Sequence, residues 1–296
     1  MSGVVRDVAY CSDSGEIQRL DLYWPTASTT GPRPVVLYIH GGTWIAGSKD
    51  DATRDPVVPM LRAHGFIVAS MDYALAPQHP FPAQIQDLTC GVRFLRARHA
   101  AYGIDPAHIG ALGVSAGGHL SAMLGVDNGS HMFVSGGYPY ASSAVQSVAA
   151  LYGVHDLPLR DLAGYDERVL PEIFGPVRRW GSESPITYVR SRLPPFLLIH
   201  GDRDTDVPIL QSRVMANKLK AARDDVTFTV VHHAEHGLVP SGGKMSPSLK
   251  TIDREIVAFF ARTLEPGSPD AAAASDGVGP WTVNADGTSV GTDAPP

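Results

Sequence analysis

The feature that most constrains this chain is a serine framed by glycines between a predicted strand and a predicted helix. The turn consists of Gly113, Val114, Ser115, Ala116 and Gly117. The apolar run 109–114 predicts a buried strand, and residues 116–126 predict a helix. A serine on such a turn exposes its hydroxyl above the sheet, while the glycines keep side chains out of the crowded backbone. We therefore interpret Ser115 as a candidate nucleophile.

The alternation of strands and helices continues along most of the chain. Further buried strands are predicted at 35–39, 66–71, 145–152, 196–200 and 226–231. Further helices are predicted at 56–64, 81–102, 209–222 and 251–264. This alternation is typical of an α/β fold with a mostly parallel sheet and helices on both faces. Segments 4–10 and 17–23 alternate apolar and polar residues, which predicts two antiparallel N-terminal strands.

Two segments depart from the alternation and set the predicted domain limits. Residues 155–192 combine Tyr165, Phe174 and Trp180 with several prolines, and we expect a lid-like insertion over the sheet. Residues 266–296 are rich in Pro, Gly and Asp and contain no Lys or Arg, which predicts a disordered acidic tail. Within it, residues 281–283 and 288–290 flank a turn-forming segment and leave a small hairpin as the alternative. The main domain is thus 1–265.

Composition argues against several classes of protein. The 296 residues carry a net charge of −6 with scattered arginines and no basic patch, so we expect no nucleic-acid partner. No apolar run approaches the roughly 20 residues of a membrane span, and the N-terminus lacks a long apolar core. We therefore expect no membrane partner and a cytoplasmic location. Cys11 and Cys90 are the two cysteines and are predicted to be free thiols rather than a disulfide or zinc framework.

A serine nucleophile needs a base, and twelve histidines must be told apart by position. We expect the base on a loop after a late strand, and the strand 226–231 precedes both His233 and His236. His236 is the predicted base, and His233 is the alternative, because a histidine just past a strand more often packs or is solvated. His40 and His200 end buried strands and are interpreted as structural.

The acid that orients the base is predicted after the strand 196–200. Asp202, Asp204 and Asp206 compete for this role, and position alone does not choose among them. The chain order of serine, acid and histidine agrees with that of hydrolases built on strand–turn–helix serines.

Backbone amides near Ser115 could hold a negatively charged oxygen. A turn of His40, Gly41, Gly42, Thr43 and Trp44 follows the strand 35–39. A glycine-rich turn at a strand end can aim N–H groups at one point. The amide of Ala116 lies at the N-terminus of its helix and can point into the same space.

With these motifs in order, the chain resembles the α/β-hydrolase superfamily. It is most similar to bacterial carboxylesterases related to hormone-sensitive lipase and to the feruloyl-esterase-like branch. The resemblance covers about residues 21–264. Besides the turns around Ser115 and Gly42, it rests on segments 72–77, 80–87, 102–106, 184–186, 200–208 and 236–237.

The resemblance implies roles that position left open. The family pattern His-Gly-x-x-Asp-x-x-Val falls on residues 200–207 and implies Asp204 as the acid and His236 as the base. It implies an oxyanion hole formed by the amides of Gly42, Thr43 and Ala116. Many relatives have Gly where Thr43 stands, so this turn is expected to be more restricted.

The implied activity is hydrolysis of carboxylic esters, of short-chain or aromatic acyl groups, through an acyl-serine intermediate. No cofactor or metal is expected, the partner is a small-molecule ester, and the protein is a monomer or homodimer. Predicted pocket walls are Trp44, Tyr73, Phe174 and Trp180, although Phe174 and Trp180 could instead anchor the insertion. An arylformamidase or another amide or peptide hydrolase is the alternative, and a non-catalytic binding module is a weaker one.

Overall fold

Strand β5 lies at the centre of an eight-stranded sheet in a computed structural model of the chain. The structure describes residues 3–12, 15–26, 30–133, 136–159 and 169–265, and the backbone of 282–283 and 289–290. The strands are β1 (Val4–Cys11), β2 (Gln18–Tyr23), β3 (Arg33–Ile39), β4 (Ile67–Met71), β5 (Ile104–Val114), β6 (Ser147–Leu151), β7 (Phe196–Gly201) and β8 (Val226–Val231). Their order across the sheet is β1-β2-β4-β3-β5-β6-β7-β8.

The sheet is parallel from β4 to β8 and antiparallel at its N-terminal edge. Strand β3 pairs in parallel with β4 and β5, and β6, β7 and β8 continue the parallel order. Strand β2 pairs antiparallel with both β1 and β4. This arrangement confirms the predicted fold class and brings the carboxyl ends of β3, β5, β7 and β8 to one edge of the sheet.

Helices cover both faces of the sheet. They are α1 (Val57–Ala63), α2 (Ala83–Ala97), α3 (His99–Tyr102), α4 (Ala116–Asp127), α5 (Val169–Phe174), α6 (Leu210–Ala222) and α7 (Leu249–Leu264). The helix predicted at 81–102 is therefore two helices, because the backbone of Arg98 leaves the helical region at ψ 13°. None of the described helices has the length and apolar character needed to cross a bilayer.

Two cores lie on opposite faces of the sheet because side chains alternate along each strand. On β3, Val35 and Leu37 pack in the core beneath α2 and α4, while Val36 and Tyr38 pack in the core beneath α1 and α7. Each fully buried aliphatic side chain of this kind contributes about 1.5–3 kcal/mol of hydrophobic stabilisation. The strands that carry the site are thus fixed from both sides.

The described part of the predicted insertion contains no strand. It comprises α5 and two short 3₁₀ helices, Val177–Glu183, called here the insertion helix, and Pro185–Tyr188. Residues 160–168, including Tyr165, lie outside the described residues.

The described part of the tail consists of two short strands, and the small hairpin, the alternative prediction for the tail, stays a prediction because residues 284–288 lie outside the described ones. Strand β11 (Thr282–Val283) pairs antiparallel with β12 (Ser289–Val290). The other tail residues, including Trp281, lie outside the described residues, so the predicted disorder of the tail stays a prediction, as does the division at residue 265.

The prediction of two free thiols is wrong, because Cys11 and Cys90 form a disulfide. The bond joins the end of β1 to α2 across 79 residues of sequence, with the Cα atoms 6.3 Å apart. Helix α2 packs directly on β1, which brings the two cysteines together. The disulfide therefore ties the antiparallel edge of the sheet to the helical layer.

Candidate active site

Ser115 is the one residue between the end of β5 and the start of α4. Its φ of 54° is a positive value that residues other than glycine seldom adopt and that functional sites often hold. Both flanking glycines are required for space. A Cβ on Gly113 would collide with the carbonyl of Gly117, and a Cβ on Gly117 would collide with the carbonyl of Ile39. The close approach of α4 to β3 and β5 thus accounts for the glycine spacing.

The side chains of Ser115, His236 and Asp204 form a continuous series of contacts. Oγ of Ser115 lies 2.9 Å from Nε2 of His236, and Nδ1 of His236 lies 2.8 Å from Oδ2 of Asp204. Because an ionised carboxylate only accepts hydrogen bonds, Nδ1 carries the proton and donates it to Asp204. Nε2 is then free to accept the hydroxyl proton of Ser115, as a general base must.

Asp204 is held ionised by several hydrogen bonds. Its buried Oδ1 accepts the backbone N–H groups of Asp206 and Val207, at 3.0 and 2.8 Å. Its Oδ2 lies 3.3 Å from Nε2 of His200. Burial alone would raise the pKa of this carboxyl, but the hydrogen bonds from His200, His236 and Val207 outweigh it and lower the pKa to about 2. Asp204 can therefore stabilise a positive charge on His236.

The competing acids and histidines on the same loops bind elsewhere. Asp202 accepts the ring N–H of His232 and the backbone N–H of His233, at 2.9 and 2.7 Å. Asp206 is exposed, and the ring of His233 packs against Gly243. Among the three acids and the two candidate histidines, the structure brings Asp204 and His236 to Ser115.

His236 lies on a tight turn between two short paired strands. Strand β9 (Ala234–Glu235) pairs with β10 (Val239–Pro240), and Gly237 at φ 69° allows the turn between them. The loop that carries Asp204 contacts this pair of strands. The amide of Arg203 donates to the carbonyl of Ala234, and the Thr205 hydroxyl donates to the Glu235 carboxylate at 2.8 Å. The two loops therefore hold the base and the acid as one unit.

The turn after β3, residues 40–44 and called here the amide turn, passes close to Ser115, since a Cβ on Gly41 would lie 3.3 Å from the Cβ of Ser115. Gly42, Thr43 and Trp44 all have positive φ, at 105°, 55° and 60°. The carbonyl of Gly42 accepts the amides of Ile45 and Ala46, which closes the turn. Within the described part of the chain, no protein acceptor contacts the amides of Gly42, Thr43 or Ala116. These three donors can therefore serve a ligand oxygen.

The predicted pocket walls lie in the packed interior, and their role as substrate contacts stays a prediction. Trp44 and Phe174 are fully buried and pack edge to face with ring centroids 4.8 Å apart. Tyr73 stacks on His40 and donates its hydroxyl to the His40 carbonyl at 3.0 Å. Trp180 donates its indole N–H to the carbonyl of Gly175 within the insertion. These side chains support the site from behind and present almost no surface to a substrate.

The predictions from sequence did not include several residues that contact the site residues or are exposed on the turns around them. Tyr152 follows β6, and its ring packs edge-on against His236 with centroids 5.1 Å apart. Its position at a strand end on the same sheet edge as Ser115 was a usable signal. Ile45 and Val239 expose 43% and 57% of their surface next to the amide turn and the His236 turn. The buried His119 contacts Trp44, and its motif gave no indication of this.

The described residues contain no group of three His, Cys, Asp or Glu side chains that could hold a metal ion. The expectation of a reaction without cofactors stays a prediction.

Comparison with known proteins gives consistent matches over most of the chain. Residues 20–219 match the family model described as BD-FAE. Esterase LipC of Mycobacterium tuberculosis is 31% identical over 83% of this chain and 63% of its own length. Esterase LipQ of the same organism is 31% identical, covering 78% of this chain and 56% of its own length. The chain thus spans less than two thirds of the length of these relatives.

Solved structures show the same architecture. A truncated carbohydrate esterase from gut microbiota has a TM-score of 0.76 at 28% identity, covering 89% of this chain and 97% of its own. A thermophilic esterase from Thermogutta terrifontis has a TM-score of 0.74 at 24% identity, covering 90% of this chain and 95% of its own, which bears on the fold alone. The resemblance predicted from the motifs is confirmed.

Proposed function

This chain belongs to the BD-FAE family of α/β-hydrolases, and on that premise we propose that it is a serine hydrolase of carboxylic esters. The observation that carries the proposal is the contact series from Ser115 through His236 to Asp204. The esterase names of its relatives support an ester rather than an amide bond. Binding of a ligand without catalysis would not require a buried acid that orients a histidine toward a serine, so this arrangement argues against a non-catalytic binding module.

In the acylation half, Ser115 Oγ attacks the ester carbonyl carbon while His236 Nε2 takes the hydroxyl proton. Asp204 stabilises the resulting imidazolium through its bond to Nδ1. The negative charge that develops on the carbonyl oxygen is held by the amides of Gly42, Thr43 and Ala116. When the tetrahedral intermediate collapses, His236 donates its Nε2 proton to the departing alkoxide, which leaves as the alcohol.

In the deacylation half, a water molecule attacks the acyl carbon of the Ser115 ester. His236 removes the proton from this water, and the same three amides hold the second oxyanion. Collapse of this intermediate returns the proton from His236 to Ser115 Oγ and releases the carboxylic acid. The cycle leaves all three side chains unchanged.

We propose short-chain or aromatic acyl groups as the substrate class. The interior behind the amide turn is filled by the packed rings of Trp44, Phe81 and Phe174, so a long acyl chain has no channel there. Ile45 and Val239 are exposed apolar side chains that follow the turns carrying Gly42 and His236. Contacts with such side chains suit a small alkyl or a planar aromatic group.

The disulfide bears on where the enzyme works. Disulfides form and persist in oxidising compartments and are rare in the cytoplasm, where thiols are kept reduced. The bond between Cys11 and Cys90 therefore supports an oxidising compartment over the cytoplasmic location expected from sequence.

The proposal is tested by hydrolysis of p-nitrophenyl esters from acetate to palmitate, with methyl ferulate and N-formylkynurenine as further substrates. We expect turnover to be greatest for acetate and butyrate or for ferulate, to fall with chain length, and to vanish in Ser115→Ala. The matched control is Ser121→Ala. This variant removes a hydroxyl on the same helix, which donates its hydrogen bond to the carbonyl of Gly118. Activity on the formamide alone would replace the ester assignment with an amide assignment, and equal activity in Ser115→Ala would refute both.

A further inference from the structure

His119 is a buried histidine that the proposed reaction does not use. It lies on α4 one turn after Ser115, and its backbone amide donates to the Ser115 carbonyl at 3.1 Å. Its Nδ1 lies 3.2 Å from the indole Nε1 of Trp44, and its Nε2 lies 2.9 Å from the carbonyl oxygen of Glu183. The imidazole thus bridges the amide turn and the insertion helix.

The chemistry of the two partners fixes the state of the ring. An indole N–H only donates, so Nδ1 of His119 must be the acceptor, and a carbonyl only accepts, so Nε2 must carry the proton. The bridge therefore requires the neutral Nε2–H form. Burial lowers the pKa of His119 to about 4, which keeps this form in place at neutral pH.

The amide turn needs such support because its backbone is strained. Thr43 and Trp44 are both non-glycine residues with positive φ, and such conformations persist where the surroundings over-determine them. Two of the contacts that Trp44 makes anchor it: its carbonyl accepts the amide of Ala76 at 2.9 Å, and its indole donates to His119. The second anchor reaches α4, the helix that begins directly after the nucleophile.

We propose that His119 is a positioning residue for the oxyanion hole, holding Trp44 so that the amides of Gly42 and Thr43 face the attacked carbonyl. Through the Glu183 carbonyl it also couples this turn to the insertion helix. The inference rests on the proposed function, because the turn serves as an oxyanion hole when Ser115 attacks an acyl carbon.

The two hydrogen bonds of His119 can be removed separately. His119→Asn keeps an acceptor at the δ position for Trp44, whereas His119→Gln keeps a donor at the ε position for Glu183. His119→Phe keeps the ring that packs on Phe81 and Phe174 but has neither bond. A role in packing alone predicts that Phe is tolerated best, whereas the positioning role predicts that Asn is.

The readouts are kcat and KM for p-nitrophenyl acetate and the rate at which a fluorophosphonate labels Ser115, since the phosphoryl oxygen occupies the same hole as the oxyanion. We expect kcat and the labelling rate to fall together by about 10- to 100-fold in His119→Phe and His119→Gln, with KM within about twofold. His119→Asn should retain most of both. Trp44→Phe should match His119→Gln, and the double variant should be no worse than either, because both remove the same bond between Trp44 and His119.

The matched control is Trp24→Phe, which deletes a buried indole bonded to the carbonyl of Tyr102, away from Ser115. It should lower the melting temperature without changing the labelling rate. Wild-type kcat and labelling in His119→Phe, or equal losses in the Asn and Phe variants, would overturn the inference while leaving Ser115 as the labelled nucleophile. A wild-type protein that neither hydrolyses esters nor labels at Ser115 would instead overturn the proposed function, and the inference with it.

Discussion

Asp204 and Asp202 are two residues apart, yet their carboxylates bind different histidines of the neighbouring loop. Asp204 is buried and accepts from His236 at 2.8 Å, whereas Asp202 is partly exposed and accepts from His232 at 2.9 Å. The loop thus carries two acid–histidine pairs of similar geometry, and the first of them reaches Ser115. This pairing provides matched variants for testing the acid.

We expect Asp204→Asn to lower kcat by about 10⁴-fold, because an amide no longer fixes the His236 tautomer or stabilises its charged form. Steady-state hydrolysis of p-nitrophenyl acetate measures the effect. Asp202→Asn is the matched control, since it keeps an acceptor oxygen and touches a pair that does not contact Ser115. Similar losses in both variants would show that the loop as a whole, rather than Asp204, carries the effect.

A second prediction concerns acid stability through His155, which follows β6 and is fully buried. Among the described residues, neither ring nitrogen has a hydrogen-bond partner. Burial, reinforced by His200 and His119, lowers the pKa of His155 from 6.5 to about 3. Below pH 6.5 the unfolded chain therefore binds a proton on His155 that the folded chain does not bind. The free energy of unfolding keeps its full value above pH 6.5 and decreases as the pH falls toward 3.

His155→Phe should accordingly reduce the slope of unfolding free energy against pH, between about pH 6 and 4, by about 1.4 kcal/mol per pH unit. At neutral pH its stability should be unchanged or higher, because an unpartnered polar ring has been removed. Urea unfolding at several pH values measures the slope. The exposed His64 is the control, and His64→Gln should keep the wild-type slope. An unaltered slope in His155→Phe would show that the buried His155 does not contribute to the pH dependence of the unfolding free energy.

The Cys11–Cys90 bond should stabilise the fold without affecting turnover. It closes a loop of 79 residues, and it lies on β1, four positions from β5 in the sheet. The double variant Cys11→Ser with Cys90→Ser should lose about 2–5 kcal/mol of unfolding free energy, mainly because its unfolded chain is less constrained. Urea unfolding with and without a reductant checks this. If a reductant leaves the wild-type midpoint unchanged, the bond does not form in solution.

The burial of the predicted pocket walls leads to a prediction that separates side chains of the core from side chains of the surface. Phe174→Ala should lose about 3–5 kcal/mol of stability, because it opens a cavity in the packed interior. Ile45→Ala and Val239→Ala should leave the melting temperature nearly unchanged and raise KM for p-nitrophenyl butyrate. Thermal unfolding and steady-state kinetics on the same preparations provide both readouts. A normal melting temperature with a raised KM in Phe174→Ala would instead show that Phe174 is a pocket wall.

Much of the fold was predictable because buried parallel strands are continuous apolar runs. Strands β3, β4 and β7 follow their apolar segments closely. Strand β5 begins at Ile104, earlier than predicted, because the polar segment around Asp105 shows no strand pattern, yet Ile104 pairs with Arg33 of β3 and lengthens the amino end of the strand. The disulfide could not be predicted, since 79 residues of separation say nothing about which strand α2 packs on.

At the site, local requirements were predictable and tertiary ones were not. Ser115 was identified because its two glycines lie within five residues of sequence, although the crowding at Gly117 comes from the carbonyl of Ile39 on β3. Asp204 could not be chosen from position, since three acids share one irregular loop, and the family resemblance supplied the choice. Trp44 and Phe174 were placed on a pocket wall because a large aromatic residue looks the same in sequence whether it packs inside or faces a ligand.

The most direct test of the central claim is to trap the acyl group on the enzyme. Rapid acid quenching of a reaction with p-nitrophenyl butyrate, followed by mass spectrometry of the peptides, locates the acyl group. The account predicts one butyryl group on Ser115 of the wild type and none in Ser115→Ala, whose peptides are otherwise identical. Hydrolysis without a covalent adduct at Ser115, or an adduct on another residue, would contradict it.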